Sequence, residues 1–362
     1  MKQERCASES SIDQLLRAQA CWVDLRSPAE FSKGSVPGAI NLPILTDDER
    51  HMVGVCYREK GQEAAVALGT QLVQGAVKEA RIAGWQRLLQ ARPDAALFCW
   101  RGGQRTGFAT RWLQERGLQA RTVQGGYKAL RNRCLQILDV DSQRLDWFVL
   151  GGRTGVGKTL ILQQLQTSID LEGFARHRGS AFGATQHPQP TQVDFENALA
   201  VASLQHLAEH SCLVVEDESR TVGKVALPGS WHQRMQRAPL VLLEASLEQR
   251  ATHIANEYVV DPLAQGMSSQ MLEAKYVQAV ARIRKRLGGD RHKAVQAAIT
   301  NGFENNDHLT WIRLLLNEYY DPMYDYQLAH KQQRVVFRGN AEQVLGWLRD
   351  AADGRLAQDA RG

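Results

Sequence analysis

A cysteine stands on a loop rich in glycine and arginine, at the end of an apolar run. Residues 97–108 read LFCWRGGQRTGF, so that Arg101 and Arg105 follow Cys99 at short intervals. Backbone N–H groups of such a loop, a helix N-terminus and nearby arginines lower the pKa of a thiol, and the thiolate is the nucleophile. The same N–H groups bind an oxyanion. We therefore predict that Cys99 accepts an atom from an anionic donor, although most single cysteines are buried structural residues.

The position of this loop supports the prediction. AALFCW (95–100) is typical of a strand, and RTGFATRWLQERG (105–117) is typical of a helix that ends at glycine. In parallel α/β sheets, sites form where a strand ends and the next helix begins. The candidate residues for binding the donor are Arg101, Gly102, Gly103, Gln104, Arg105 and Thr106.

A second glycine-rich segment follows another predicted strand and precedes an amphipathic helix. It fits the pattern GxxxxGK[ST] without a gap. Backbone N–H groups and the helix N-terminus surround an anion in such a loop, while Lys158 would meet a terminal phosphate and Thr159 can hold Mg²⁺. The pattern leaves open whether a nucleotide carries the phosphates. The predicted phosphate-binding residues are Gly152, Arg153, Thr154, Gly155, Val156, Gly157, Lys158 and Thr159.

Two charged clusters lie within the same half of the chain. Glu216, Asp217 and Glu218 end a predicted strand, where they are candidate Mg²⁺ ligands or a general base; a solvated turn is the competing interpretation. A basic cluster of candidate phosphate or RNA contacts comprises Arg176, His177 and Arg178. Taken alone, that cluster fits a basic surface turn better.

The elements that position these groups alternate between strand and helix. Short apolar runs at 21–25, 95–100, 211–217 and 239–245 predict buried strands of parallel sheets. Beyond about residue 265 the pattern is mostly helical. We predict an α/β protein of two domains, 1–138 with the cysteine loop and 139–362 with the phosphate loop and a helical C-terminal region.

Composition narrows the classes of protein. The 362 residues are 43% hydrophobic and 23% charged with a net charge of +5, which is ordinary for a globular protein. No apolar run is long enough to span a bilayer, and the N-terminus is polar. Six scattered cysteines without a CxxC pair argue against a zinc site or a disulfide scaffold. We therefore expect a cytoplasmic protein with no membrane partner.

The segment VDLRSPAEFSKGSVPGAINLP (23–43) matches the rhodanese pattern D-x-R-x-x-x-E-F followed by G and P-G-A-I-N-L-P. With Cys99 on its loop, the chain up to about residue 135 resembles a rhodanese domain. The resemblance implies that the loop cysteine carries sulfur or selenium. Five residues separate Cys99 from Arg105, and this C-x5-R spacing also resembles the phosphatase relatives of the fold. The loop by itself leaves chalcogen transfer and phosphate ester hydrolysis both open.

A rhodanese domain followed by a P-loop domain resembles the tRNA 2-selenouridine synthase family. The resemblance covers nearly the whole chain and includes the strings CWRGGQRT, GGYKALR, TGVGKTLIL, DLEGFARHRGSAFG, VEDESRTVG and YYDPMYDYQL. Arg153 is a departure, because a small residue is expected there.

The family resemblance implies a two-step reaction at the wobble uridine of tRNA. Geranyl diphosphate alkylates the sulfur of 2-thiouridine, and selenium from selenophosphate then replaces the geranylthio group. The P-loop would hold the diphosphate, with Mg²⁺ assisting, and Cys99 would carry selenium. Trp100 is a candidate to stack on the target base, and an enzyme that makes selenophosphate is a candidate partner. The tRNA needs a positive surface, and residues 1–145 carry 21 Lys and Arg against 15 Asp and Glu.

Three other functions fit parts of the pattern. One is an ATP-dependent P-loop enzyme fused to a sulfurtransferase. Another is a phosphatase of the C-x5-R type. A third is a tRNA-binding module with a degenerate rhodanese domain, against which the intact cysteine loop argues.

Overall fold

The structure is a computed structural model that describes residues 12–18, 20–185 and 187–355. Its contacts divide the chain into two compact units. The first comprises the chain up to Ser142 together with Pro190–Ala208, and the second comprises Gln143–Gln189 and the chain from Glu209 onward. None of the helices in the described ranges is long and apolar enough to span a bilayer.

The first unit is built on a parallel sheet with the strand order β2-β1-β3-β4. Its strands are β1 (Trp22–Asp24), β2 (Ala39–Asn41), β3 (Ala96–Phe98) and β4 (Arg121–Thr122). Every residue of β1 and β3 is buried, which explains the apolar sequence of β3 and of the first two residues of β1. Because the strands are parallel, their carboxyl ends share one edge, and Cys99 directly follows β3 at that edge.

The second unit contains a parallel sheet with the order β11-β10-β5-β7-β6. Its strands are β5 (Asp146–Gly151), β6 (Ser168–Ile169), β7 (Cys212–Glu216), β10 (Leu240–Leu243) and β11 (Val335–Gly339), and β8 (Thr221–Val222) pairs with β9 (Val225–Ala226) in a separate antiparallel ladder. The phosphate loop follows β5, which lies in the middle of the sheet. The predicted α/β class, with parallel sheets and a helical C-terminal part, is confirmed.

Helices account for most of the remaining described chain. In the first half they are α1 (12–17), α2 (Pro28–Phe31), α3 (Asp47–Leu72), α4 (Gly75–Ala91), α5 (Gln104–Gln114), α6 (Gly126–Asp139), α7 (Lys158–Leu162) and α8 (Leu171–Ala175). The later helices are α9 (Gln192–Glu209), α10 (Gly229–Met235), α11 (Leu247–Ala255), α12 (Asp261–Ala264), α13 (Ser269–Leu287), α14 (Gly289–Asn305), α15 (His308–Leu315), α16 (Asp321–Ala329) and α17 (Ala341–Ala352). The segments Asn256–Val260 and Leu316–Tyr320 are π-helical.

Each unit has its own apolar core. In the first unit the rings of Trp85 and Trp112 stack with centroids 6.2 Å apart, beside the buried side chains of Leu97 and Leu113. In the second unit a core that includes the buried Trp311 joins α11, α13, α14 and α15. The helical part therefore packs as one body rather than as separate helices.

Two features differ from the sequence-based expectation. Strand β11 forms an edge of the second sheet, inside a region predicted to be mostly helical. It pairs only with β10 among the described strands, and its residues are only partly buried, so its sequence carries a weak strand pattern. The other feature is α9, which follows the phosphate loop in sequence and packs with the first unit.

Polar contacts explain why α9 belongs to the first unit. The Asn197 amide donates to the Ser35 carbonyl at 2.7 Å, and Arg131 donates to the Asn197 side-chain oxygen at 2.7 Å. The Ser35 amide donates to Asp194 at 2.9 Å. A single boundary at residue 138 does not include this helix in the first unit, because the interaction joins residues more than 150 positions apart.

Candidate active sites

The backbone of the cysteine loop is held by the segment that begins α6. The Tyr127 amide donates to the Cys99 carbonyl at 2.8 Å, and the Lys128 amide donates to the Trp100 carbonyl at 2.9 Å. Gly102 has a φ of +64°, and a Cβ there would lie 2.8 Å from the Val123 carbonyl oxygen. Only glycine fits this position without strain, so the Gly-rich sequence is what lets the loop turn so tightly.

The Cys99 thiol is buried, with 3% of the residue exposed. Burial raises the pKa of the thiol, but hydrogen bonds from the Thr106 hydroxyl and amide, the charge of Arg105 and the Arg101 amide outweigh it. The pKa of Cys99 therefore lies below its ordinary value. Within the described chain the buried Thr106 hydroxyl has no other hydrogen-bond partner, so it is available to donate to a thiolate.

Arg105 is oriented by a residue of the rhodanese-type segment. Its guanidinium donates to the Glu30 carboxylate at 2.5 and 3.3 Å. Burial raises the pKa of Glu30, but the hydrogen bond and charge of Arg105 outweigh it and hold that pKa below its usual range. Our reasoning from sequence did not assign a role to Glu30, although the D-x-R-x-x-x-E-F pattern contained it.

The same rhodanese-type segment also contacts the aromatic side chains beside the cysteine loop. Arg26 forms a buried ion pair with Asp24 at 2.6 Å, and its guanidinium lies 3.7 Å from the ring centroid of Tyr127. Tyr127 is 4% exposed and belongs to the core. Trp100 is 42% exposed, so its ring is accessible beside the loop. Four further loop residues are exposed: Arg101, Gly102, Gly103 and Gln104.

The phosphate loop connects β5 to the N-terminus of α7. Its glycines Gly152, Gly155 and Gly157 all have positive φ angles. A Cβ at Gly155 would lie 2.6 Å from Ile254 of α11 and 2.8 Å from the Arg250 carbonyl oxygen. The loop is therefore packed closely against α11, and glycine is required at this position.

Helix α11 also binds the loop through polar side chains that the sequence analysis missed. Arg250 is 2% exposed; it donates to the Asp321 carboxylate through two bonds of 2.7 Å and to the Thr154 carbonyl at 3.3 Å. A ring nitrogen of His253 lies 3.1 Å from the Gly155 carbonyl oxygen. These contacts hold the loop in shape before any anion binds.

A cavity of about 800 Å³ opens beside the phosphate loop. The loop contributes Gly152, Thr154, Gly155, Val156, Gly157, Lys158 and Thr159 to its wall. Arg153 lies elsewhere, since its side chain is 45% exposed and pairs with Asp325 at 2.8 Å. The opposite walls carry the carboxylates Glu172, Asp217 and Glu218, the cations Arg178 and Arg286, and the aromatic residues Tyr258, Tyr319, Tyr320 and Tyr324.

Two of the cavity carboxyls interact with each other near Lys158. Burial, and then the charge of Glu218, raise the pKa of Glu172 to about 8, while the charge of Lys158 opposes the shift. Burial also raises the pKa of Glu218. Like charges held close together in a partly buried site favour a shared proton. The pair can therefore accept or hold a proton close to neutral pH.

The three acidic candidates of the sequence occupy different environments. Glu216 is 1% exposed, accepts a hydrogen bond from the Glu172 amide at 3.0 Å and lies outside the residues that line the cavity. Asp217 lines the cavity but forms an ion pair with Lys331 at 2.7 Å. Glu218 lines the cavity beside Glu172. Glu216 is the last residue of β7, and the two that line the cavity follow it in the loop after the strand.

The cavity wall carries oxygen atoms that could share a metal ion with a bound phosphate. No cluster of three or more His, Cys, Asp or Glu side chains suited to a metal ion occurs in the described ranges. Mg²⁺ is commonly bound by one or two protein oxygens together with substrate phosphates, so this finding is compatible with it. Thr159 and Glu218 are oxygen ligands of the right type on the wall of the cavity.

The three basic candidates at 176–178 also lie in different environments. Arg178 lines the cavity, donates to the Glu257 carboxylate at 2.6 Å and lies 5.0 Å from the ring centroid of Tyr258. Arg176 has a φ of 51° and is exposed away from the cavity wall. His177 is partly buried, which lowers its pKa. Arg178 is thus the member of the cluster that faces the phosphate loop.

Two π-helical segments supply much of the cavity wall opposite the loop. Each directly precedes an Asp-Pro pair, at 261–262 and 321–322. Pro262 has no N–H to donate to the Tyr258 carbonyl, and this carbonyl instead accepts the Tyr276 hydroxyl. The string Asn-Glu-Tyr occurs shortly before Asp-Pro at both places, at 256–258 and 317–319. This repeated pattern could have identified the two π-helical segments from the sequence.

Comparisons with known proteins agree with this architecture. A family model described as a rhodanese-like domain matches residues 8–133, and one described as the tRNA 2-selenouridine synthase AAA domain matches residues 145–354. The fold and the two loops define a rhodanese-like domain joined to a P-loop domain, in an enzyme of the transferase class.

Relatives that match nearly the whole chain identify the family within this class. A protein named tRNA 2-selenouridine synthase from Shewanella oneidensis is 43% identical, covering 94% of each chain. Proteins of the same name from Shewanella denitrificans (46% identical, 90% of this chain and 93% of the relative) and Cupriavidus necator (45%, 92% and 95%) match similarly. This chain belongs to the tRNA 2-selenouridine synthase family.

Proposed function

We propose that the enzyme converts 2-thiouridine to 2-selenouridine at the wobble position of tRNA, through an S-geranyl intermediate. The observation that supports this most directly is the presence of two unlike anion-binding loops in one chain. One carries a cysteine whose thiol has a lowered pKa, and the other carries Lys158 in a cavity of about 800 Å³. A reaction with two anionic co-substrates, geranyl diphosphate and selenophosphate, needs two such loops.

The first step alkylates sulfur, which is otherwise a poor leaving group. The sulfur of 2-thiouridine bonds to C1 of the geranyl group, the C1–O bond breaks, and diphosphate leaves. Lys158 and the amides of Gly155 and Gly157 stabilise the departing charge. Thr159 would hold Mg²⁺, which would neutralise further charge on the diphosphate.

Alkylation also releases a proton, because N3 of the base loses its hydrogen when C2 becomes bonded to the alkylated sulfur. The paired carboxyls of Glu172 and Glu218 are suited to accept it. A base works best when its pKa is near the working pH, and the pKa of Glu172 is raised to about 8. In this proposal the carboxyl pair, rather than the buried Glu216, is the proton acceptor.

The second step exchanges chalcogens at C2. The cysteine loop receives selenophosphate, and the Cys99 thiolate attacks its phosphorus, so that an S–P bond forms while the Se–P bond breaks. The selenide released in the loop then attacks C2, and water hydrolyses the S–P bond to free Cys99. Overall, the Se–P bond breaks, selenium bonds to C2, geranylthiol leaves and N3 regains a proton, while water completes the phosphate that is released. Arg105 and the exposed loop amides stabilise the anion, and Glu30 positions Arg105.

The tRNA would bind mainly through phosphate contacts on a basic surface. Trp100 is exposed beside Cys99 and can stack on an extruded base. The end of α13 presents the exposed cations Arg284, Lys285 and Arg286, of which Arg286 reaches the cavity wall. We further propose that the reaction takes place in the cytoplasm and draws on an enzyme that makes selenophosphate.

The test is nucleoside mass spectrometry on 2-thiouridine-containing tRNA incubated with both co-substrates. Wild type should form 2-selenouridine. Cys99→Ser should stop at the geranylated base, because only its second step lacks a nucleophile. Lys158→Ala should lose roughly 10²-fold or more of geranylation, since a positioned charge is removed from the leaving group.

Other outcomes identify the alternatives. Unmodified tRNA with wild type, together with Lys158-dependent ATP hydrolysis, would favour an ATP-dependent enzyme. Cys99-dependent hydrolysis of a simple phosphate ester would favour a phosphatase. Cys99→Ser that still completes selenation would remove the cysteine loop from the mechanism.

A further inference from the structure

A narrow apolar slot lies beside the phosphate cavity, in the core of the helical part. Its volume is about 30 Å³. The side chains that form its walls and end are Phe182, Ile254, Trp311, Ile312, Leu315 and Leu316. All are buried, so the slot is a gap in a packed core rather than a surface groove.

The slot and the phosphate cavity adjoin each other and share part of their walls. Thr154 of the phosphate loop, Ser180, Ile254, Tyr258 and Tyr320 line both of them. A molecule whose phosphates lie at Lys158 can therefore extend an attached chain past Tyr258 and Tyr320 into the slot. A separate cavity elsewhere in the core would offer no such path.

The chemistry of the opening favours a hydrocarbon. Burial raises the pKa values of Tyr258 and Tyr320, so both phenols are neutral across the physiological range. The Trp311 ring and the aliphatic side chains beyond them carry no charge. A gap lined in this way stays dry and is filled favourably by apolar groups. A ribose or a polar purine edge would find few hydrogen-bond partners there.

The geometry points to this slot as the site that receives the far end of the apolar chain of the diphosphate substrate, and thereby selects its length. This inference rests on the proposed function, because it concerns the donor of the first step. About 30 Å³ accepts only the terminal carbons of a ten-carbon chain, and the nearer carbons would lie against Tyr258 and Tyr320 at the wall of the larger cavity. Leu315 and Trp311 would then block a longer chain.

The test measures binding of four probes to the full chain by calorimetry: inorganic diphosphate and the dimethylallyl, geranyl and farnesyl diphosphates. Wild type should bind geranyl diphosphate at least tenfold more tightly than the dimethylallyl compound, since burial of each methylene contributes roughly a fourfold gain in affinity. It should also prefer geranyl over farnesyl. Leu315→Ala enlarges the slot and should raise the farnesyl-to-geranyl affinity ratio at least tenfold.

Leu272→Ala is the matched control, because Leu272 is fully buried in the same core but does not line the slot. It should leave the ratio unchanged. Ile312→Val is a milder slot variant that removes one methyl group, and it should shift the ratio in the same direction as Leu315→Ala by about twofold to fourfold even if Leu315→Ala does not fold.

The two possible failures are distinguishable. If geranyl diphosphate binds in a Lys158-dependent manner but the slot variants match Leu272→Ala, the slot inference is overturned and the proposed donor stands. If wild type binds geranyl diphosphate no better than inorganic diphosphate, both the proposed donor and the slot are overturned.

Discussion

The cysteine loop and the phosphate loop have similar backbones, but different elements surround them. Both follow the carboxyl end of a strand in a parallel sheet, both turn on glycines with positive φ, and both lead into a helix. Around the buried thiol of Cys99 the loop is closed by the start of α6, whereas the phosphate loop faces a cavity of about 800 Å³. In the proposed function the two backbones bind anions of different size, and the neighbouring elements decide what else each anion carries.

The two loops also differ in how charge is arranged. Near Cys99 the charged partner is Arg105, which Glu30 orients, so that negative charge on sulfur is favoured. Near Lys158 the carboxyls of Glu172 and Glu218 are crowded together, so that a proton or a cation is favoured. The first arrangement suits a nucleophile, and the second suits a leaving group and a base.

Of the substitutions that test the comparison between the two loops, the one at Arg250 should have the largest effect. Arg250→Ala would leave the largely buried Asp321 carboxylate with Arg153, 3.9 Å away, as its remaining cation, and would release the Thr154 carbonyl. We expect the free energy of unfolding to fall by about 3–5 kcal/mol, and diphosphate binding to weaken with it. Chemical denaturation and calorimetry measure the two quantities.

Arg313→Ala serves as the control for that variant. Arg313 pairs with Glu248 at the surface of the same unit, so its removal should lower the free energy of unfolding far less than removal of Arg250. Equal losses for the two variants would show that the Arg250 pair does not stabilise the phosphate loop.

The next effect concerns the pH dependence of geranylation. Because the proposed base must be deprotonated, the rate should rise with pH and level off above about 8, and Glu172→Gln should lower the rate by roughly 10²-fold and remove that rise. The raised pKa means that the folded protein holds a proton that the unfolded chain loses near pH 4.5. Stability contributed by Glu172 is therefore complete below pH 4.5 and is lost as pH rises through about 8.

Rate and stability profiles of Glu172→Gln measure both consequences. The variant should be less sensitive to pH than wild type between pH 4.5 and 8. A wild-type rate that is flat over this range would exclude Glu172 as the base. Glu216→Gln is a useful companion, because Glu216 lies outside the cavity wall and should leave the rise intact.

A smaller effect is expected at the cysteine loop. Thr106→Val keeps the shape of the side chain but removes the hydroxyl that lowers the pKa of Cys99. The pH midpoint of thiol alkylation by iodoacetamide should therefore move upward by about half a unit to one unit, and selenium transfer near pH 7 should slow severalfold. Cys99→Ser identifies the alkylation signal. An unchanged midpoint would mean that the Thr106 hydroxyl does not act on the thiol.

The smallest effect is expected at Arg153. Although it lies inside the GxxxxGK[ST] segment, it pairs with Asp325 away from the cavity. Arg153→Ala should change the free energy of unfolding by less than about 1 kcal/mol and leave diphosphate affinity within about twofold. A tenfold loss of affinity, measured by calorimetry, would show that Arg153 turns toward the anion.

The comparison of the loops also shows which contacts can be predicted from the sequence. Arg105 and Cys99 are neighbours in sequence, so their joint role was predicted, and the GxxxxGK[ST] string carries its own geometry. Glu30, Arg250, His253 and Glu172 were not assigned roles. Each acts on a loop residue at least 75 positions away or across a cavity, and no local spacing reveals such pairs.

The sequence by itself determined the α/β class, the buried strands before both loops and the identity of the anion-binding backbone, because these depend on local patterns of apolar residues and glycines. The tertiary structure alone decided that α9 packs with the first unit, that Arg178 and Glu218 face the phosphate loop while Arg176 and Glu216 do not, and that an apolar slot adjoins the cavity. The physical reason is that burial and pairing depend on which surfaces meet, and distant parts of the chain supply those surfaces.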